Sequence, residues 1–156
     1  MRKMREGSYQ MNAKEYLMRY RDAKREGREV ELRITKLRLK YEAPGAISYS
    51  DMPKAHNNQD LSGYMVELDR LTDLLLTKYQ KCLGICTDIE MRLDLMDDQI
   101  EREVLRHRYT YITDKGQLTP WDEVGDAVGY SRRSVERIHG QALLNFPVPE
   151  EEKKEK

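Results

Sequence analysis

The 156-residue chain has little of what usually anchors a small domain: two cysteines, one Phe, one Trp, five Pro, and no excess charge of either sign, with 28 Lys plus Arg against 28 Asp plus Glu. Cys82 and Cys86 are too few for a secreted-type disulfide framework, and none of His56, His107 and His139 stands at zinc-type spacing from them. They read as two small core residues one helical turn apart. No run approaches the ~20 apolar residues that span a bilayer; the most apolar stretch, Leu74 to Ile85, is broken by Lys78, Gln80 and Lys81. The charged N-terminus is followed by no apolar signal core, so a soluble, cytoplasmic protein with no membrane partner is expected. The balanced total excludes a uniformly basic protein held on nucleic acid by bulk charge, and equally an acidic disordered solubiliser. No Gly-rich phosphate loop, nucleophile elbow or metal-ligand cluster is present, and Asp97-Asp98 reads as a solvated helix feature. No enzyme activity, metal or cofactor is therefore expected.

What is abundant is charge, at 36% of residues, and it is segregated. Residues 1–57 hold 14 basic and 8 acidic side chains, a net of +6; residues 58–114 hold 7 and 12, a net of −5; residues 115–156 hold 7 and 8, a net of −1. The overall zero is a sum of opposites, and any nucleic-acid contact must come from a local patch.

The second segment carries the strongest periodicity. Leu61, Leu68, Leu75, Cys82, Ile89 and Met96 recur every seven residues, with Met65, Thr72, Tyr79, Cys86 and Leu93 offset by four. This a/d seam over five heptads predicts a helix of about 38 residues. Leu71, Leu76, Leu83 and Ile85 widen the stripe, so more than one neighbour is expected. In the first segment Ala13, Tyr16, Leu17, Tyr20, Gly27, Val30, Ile34, Leu37 and Tyr41 predict a helix from about Asn12 to Tyr41. Between them lies a turn-rich link containing Pro44, Gly45, Pro53, Asn57 and Asn58. Two long helices of opposite charge joined by a link predict an antiparallel hairpin, whose seam could also pair between chains to give a homodimer through the long helices.

After Met96 the pattern changes. Asp97 to Tyr111 is amphipathic, with Ile100, Val104, Leu105 and Tyr109 on one face. Thr119-Pro120 starts another helix, with Pro suited to its first position and Asp122 and Glu123 to the positive end of its dipole. Gly129 interrupts it, Ser131 caps a third helix running to about Asn145, and Pro147 and Pro149 stop that one. Val124 and Ala127 on one helix and Val135, Ile138 and Ala142 on the next, separated by a Gly-containing turn, predict a helix-turn-helix, with Gly125 and Ala127 allowing close approach. Its second helix then turns Arg132, Arg133, Glu136, Arg137 and Gln141 outward, where Arg can read guanine, Gln adenine and Glu cytosine in a major groove. Ser131, Ser134 and Thr119, with the first amides of the helix after Thr119, are candidates for phosphate contact. The fold class expected is thus all-α, with residues 1–11 a flexible N-terminus, 12–97 the long hairpin with its loop at about 43–59, 98–146 the DNA-binding unit and 147–156 a disordered tail.

The run Leu118-Thr119-Pro120-Trp121-Asp122-Glu123-Val124-Gly125, then Val128-Gly129-Tyr130-Ser131-Arg132-Arg133-Ser134-Val135-Glu136-Arg137-Ile138 and Ala142-Leu143, resembles region four of bacterial sigma-70-type factors. Ile100 to Tyr109 resembles the helix preceding that unit. Over residues 11–146, Met11-Asn12-Ala13-Lys14-Glu15-Tyr16-Leu17, Tyr49-Ser50-Asp51-Met52-Pro53 and His139-Gly140-Gln141-Ala142-Leu143 are similar to a family of small phage- and prophage-encoded sigma-like proteins of Gram-positive bacteria. The resemblance implies a transcription regulator of phage genes that binds double-stranded DNA and works with host RNA polymerase. Arg132, Arg133, Glu136 and Arg137 fall where region four touches −35 bases and adjacent phosphates. Glu136 stands where the housekeeping pattern favours a basic residue, implying a different DNA sequence, and Gly140 departs from the general pattern.

Two other readings fit the same segments. Small terminase subunits of phage packaging machines also combine a helix-turn-helix with long oligomerising helices. A protein-binding coiled-coil module, such as an anti-sigma or polymerase-binding factor, would make the DNA contacts incidental.

Overall fold

The computed structural model describes residues 11–42 and 58–150. Among them the chain is all-α: α1 (Ala13–Glu42), α2 (Asn58–Leu93), α3 (Gln99–Tyr109), α4 (Trp121–Val128) and α5 (Arg132–Asn145), with no strand. The expected loop at 43–59 lies outside the described residues except for Asn58 and Gln59, which already belong to α2.

Local chemistry sets the boundaries. Asn12 and Glu15 form a reciprocal capping box: the Asn12 carboxamide oxygen accepts from the Glu15 amide at 2.9 Å, and the Glu15 carboxylate accepts from the Asn12 amide at 3.1 Å. The α2 helix tightens at its end, where the amides of Leu95 and Met96 donate to the carbonyls of Arg92 and Leu93. Two residues later the Asp98 carboxylate accepts from the amides of Ile100 and Glu101, both at 2.9 Å, and starts α3.

The first two helices lie along each other in opposite directions. Tyr41 stacks on Tyr64 with ring centroids 4.6 Å apart; Val30 and Ile34 bury against Leu71; Ala13, Tyr16 and Leu17 meet Ile89 and Leu93. Of the two expected seams in α2, the first lies toward α1 except for Leu61, which is 62% exposed, and the second turns in fully only at its end, where Leu93 is buried. Leu68, Leu75, Cys82, Ile89 and Met96 do point inward or to its edge, but the second inward series is Tyr64, Leu71, Lys78 and Ile85, one residue before the expected Met65, Thr72, Tyr79 and Cys86. Tyr64, Leu71 and Ile85 offer more apolar surface than the alternative set, and Lys78 reaches out to the Glu26 carboxylate at 2.8 Å. Leu76 and Leu83 stay 57% and 69% exposed.

The opposite net charges of the two segments do not set the pairing. The ion pairs between α1 and α2 use an acid of the basic helix, Glu26, with Lys78 and Lys81 of the acidic one. Hydrogen bonds from these two lysines hold the Glu26 carboxyl below its usual range. All three groups keep solvent contact, with 30–54% of each side chain exposed, so their contribution is small.

The boundary expected at residue 97 is a turn in the chain but not a gap in the packing. A single buried cluster joins Tyr16 and Leu17 of α1, Ile85, Ile89 and Leu93 of α2, Met96, Leu105 and Tyr109 around α3, and Ala142 and Phe146 at the end of α5. Arg106 crosses the same junction: its guanidinium donates to Glu90 at 2.9 Å and Asp94 at 3.2 Å, and also to Glu103 on its own helix. Burial alone would lower the Arg106 pKa, but the hydrogen bond to Glu90 and the carboxylates of Glu90 and Glu103 outweigh it and leave it raised. On the other side Arg25 donates to the Gly116 carbonyl at 3.1 Å. Gly116 has φ +70°, and a Cβ there would sit 2.7 Å from Arg25 Cγ and 3.3 Å from the Arg21 carbonyl oxygen.

The packed part of the chain reaches past the expected bounds of 12 and 146 at both ends. Met11 packs on the shared cluster; residues 1–10 lie outside the described part. Pro147 and Val148, expected in the disordered tail, continue the fold: the Pro147 carbonyl accepts from Arg92 at 2.9 Å and Val148 packs on the cluster. Residues 151–156 again lie outside the described part. Among the described residues no helix is long and apolar enough to cross a membrane.

A shared core predicts one cooperative unfolding unit. Leu105→Ala should cost about 2–5 kcal/mol, with helical circular dichroism, which reports mainly α1 and α2, and fluorescence of the single Trp121 on α4 moving together in denaturant. Separate midpoints would show that the junction is not energetically continuous. Gly116→Ala should lower stability by at least about 1–2 kcal/mol from its positive φ alone.

Candidate nucleic-acid interface

The surface singled out by the sequence rests on three short helices whose backs close a small core. Val104 of α3, Val124 of α4 and Val135 of α5 are each fully buried against one another, with Trp121, Val128 and Ile138 packed around them. The α4 helix ends at Gly129 with φ +78°, a left-handed conformation that a side chain disfavours. The amides of Gly129 and Tyr130 both donate to the Gly125 carbonyl, at 2.8 and 3.0 Å, which folds the chain sharply back. Gly125 is the close-approach point, since a Cβ there would lie 2.6 Å from the Tyr130 carbonyl oxygen. Ala127, expected to share that role, is exposed: at two residues from Gly125 it sits on the far side of the helix.

Ser131 then caps α5. Its hydroxyl oxygen accepts from the Ser134 amide at 3.3 Å and donates to the Ser134 hydroxyl at 3.0 Å. With Val135 and Ala142 inward, the helix turns Arg132, Arg133, Glu136, Arg137 and Gln141 to the outside, all exposed, while Ser134 is half-buried. The three arginines are not equivalent. Arg132 is engaged by Glu136 at 3.0 Å and more distantly by Asp122 at 3.8 Å, and these carboxylates raise its pKa. Arg133 and Arg137 join no ion pair among the described residues, so their five donors each face outward.

Thr119 does not belong to this face. Its side chain is buried, its hydroxyl donates to the Tyr111 carbonyl at 2.7 Å, and its own carbonyl accepts from Arg108 at 2.6 Å. It fixes the loop before α4 instead. Pro120 occupies the cap position rather than the first helical turn, its carbonyl accepting from the Val124 amide at 3.0 Å.

Tyr130 is a surface residue the sequence reading passed over. It is exposed in the turn and lines a shallow groove with Asp98, Ile100, Arg137, Gln141 and Leu144. The available signal was its place directly after a left-handed glycine, outside both helices. Gly140 opens onto the same groove, and a Cβ there would meet no atom within 4 Å.

Behind this face His139 is held neutral. Burial first, then the charges of Arg108 and Lys14, push its pKa down from 6.5 to about 4. The Tyr109 hydroxyl, itself pushed up to about 12 by burial, shares a hydrogen bond of 2.7 Å with His139 Nε2, and the Trp121 ring meets the imidazole edge-on at 4.7 Å. The Arg108 guanidinium lies 4.1 Å from the Trp121 ring centroid, completing a stack that locks α3, α4 and α5 together.

Between pH 6.5 and 4 the unfolded chain takes up a proton that folded His139 refuses, so stability falls as pH is lowered through that window. His139→Gln should flatten that part of a pH–stability curve while leaving the carboxylate-driven part below it. Gly125→Ala should destabilise the packing of α3 to α5 by about 2 kcal/mol or more, because the obstructing atom is backbone; thermal melts followed by Trp121 fluorescence measure it.

A scan against protein-family models, a search of curated proteins and a search of solved structures each returned no match.

Proposed function

We propose that the chain is a sequence-specific double-stranded DNA-binding transcription regulator, of the phage or prophage kind that its sequence resembles, acting on phage genes with host RNA polymerase. In this reading α1 and α2 are a helical hairpin that carries a sigma region-four-like helix-turn-helix made of α3 to α5. The observation that carries it is the outer face of α5: Arg133 and Arg137 stand exposed and without ion-pair partners among the described residues, one helical turn apart, beside Gln141, on a helix braced from behind by Val124 and Val135. A rigid helix offering unengaged guanidiniums at guanine-reading spacing suits a major groove. Glu136 adds an acceptor that suits cytosine N4 and neutralises Arg132, so the face is selective more than adhesive.

Few free cations means few phosphate contacts, so non-specific affinity is expected to be modest and the salt dependence shallow. No catalytic role is part of the proposal.

Gel-shift or fluorescence-anisotropy titration against fragments of the prophage that encodes the chain tests the reading. Arg133→Ala and Arg137→Ala should each weaken specific binding by roughly 1–3 kcal/mol with unchanged circular dichroism. Arg132→Ala should cost less, because Glu136 and Asp122 already engage that side chain. Glu136→Ala should alter the preferred sequence more than the affinity. Absence of any saturable binding to that DNA would sink the proposal.

A further inference from the structure

The apolar surface of α2 is wider than α1 covers. Leu61, Met65, Leu76, Tyr79 and Leu83 remain exposed, between 46% and 69% of their surface, with Thr72 among them. Their steps of 4, 7, 4, 3 and 4 residues keep all six on one face of the helix, a stripe running ~33 Å along it. Solitary exposed leucines are ordinary; an aligned row of this length at heptad spacing is not.

The two edges of the stripe differ in charge. On the α1 side Tyr20, Lys24, Arg28 and Glu31 share a groove with Tyr79, Leu83 and Cys86. Asp114 closes one end of the groove, and Arg38, seven residues beyond Glu31, extends the same α1 face, so this edge holds three bases and two acids and stays net positive, with Arg28 and Glu31 paired at 3.4 Å. On the far edge, one step further round α2, stand Asp69 and Asp73, both exposed. A basic edge, an apolar stripe and an acidic edge are complementary to themselves when a two-fold axis runs parallel to the helix, because that operation lays each basic edge on the partner's acidic one. A two-fold axis across the helix would set like against like.

We infer that two copies of this chain pair in parallel through the Leu61–Leu83 face of α2, with Thr72 at its midpoint, Leu76, Tyr79 and Leu83 filling one half, and Arg28 and Arg38 of each copy directed at Asp73 and Asp69 of the other. The inference does not depend on DNA recognition. It gives the outward seam of α2 a partner whose register is set by the seam itself, and it places both α5 helices at the same end of the dimer.

Sedimentation of the full chain at micromolar concentration tests it. The expected mass is twice the 18.5 kDa of one chain. Leu76→Glu with Leu83→Glu should return it to one chain without loss of helical circular dichroism, since both side chains are exposed. Arg28→Glu with Arg38→Glu should weaken self-association at least tenfold, and mixing that variant with Asp69→Lys, Asp73→Lys should restore a mixed dimer. Thr72→Cys in a Cys86→Ser background should form an interchain disulfide under mild oxidation, because parallel pairing sets residue 72 beside its own copy. A monomer at all concentrations, a larger ring, or a dimer unaffected by the Leu76 and Leu83 changes would overturn the inference; failure of the Thr72→Cys crosslink in an intact dimer would overturn its parallel arrangement.

Discussion

The fold depends on the small apolar junction where the end of α2, the start of α1, the middle of α3 and the end of α5 meet. Leu17, Ile89, Leu93 and Leu105 are each fully buried there, in a chain with few large apolar residues to spend. Two helices alone bury one stripe each and leave their ends to fray, and three short helices around Val104, Val124 and Val135 form too small a core to persist unaided. Joined at the junction, each closes the open end of the other. Arg106 adds direction to this contact, since a guanidinium shared among Glu90, Asp94 and Glu103 fixes the angle at which α3 leaves α2.

Much of this was legible in the sequence, and the misses have definite causes. The positions of α1, α2 and α5 follow from period and capping chemistry, and Ser131 and Gly129 act where their types suggest, whereas Asp98, expected as a solvated helix feature, caps α3. The facing of α2 was not legible, because periodicity reports how many stripes a helix carries and not which of them its own chain covers. The shape of α1 enters the choice: Leu71 is buried against Val30 and Ile34, and the missing side chain of Gly27 leaves room for Tyr79, whose Cε1 would lie 3.5 Å from a Cβ there. Segment charge misled for a related reason. Net charge is a sum over all faces of a helix, whereas pairing depends on the few groups at the seam, and there Glu26 and Lys78 reverse the overall signs.

On the candidate face, three arginines cluster on one helix within a neutral total. What composition could not see is that the patch is graded. Arg132 is half spent on Glu136, while Arg133 and Arg137 are not, although the three are nearly adjacent in sequence. Thr119 fell out of the face because a hydroxyl near a helix start can serve the backbone behind it as readily as a ligand in front, and here the Tyr111 carbonyl takes it.

The strap of residues 146–149 has a practical geometry. Phe146 stacks near Tyr16, Pro147 is held by Arg92, and Pro149 lies in the groove bounded by Arg19 and Leu95. The 14-residue length of α5 separates this strap from the Ser131 end by ~21 Å. A fluorophore or affinity handle placed after Glu150 therefore departs beside the long helices, leaving the arginine-bearing turns of α5 free for labelled binding measurements.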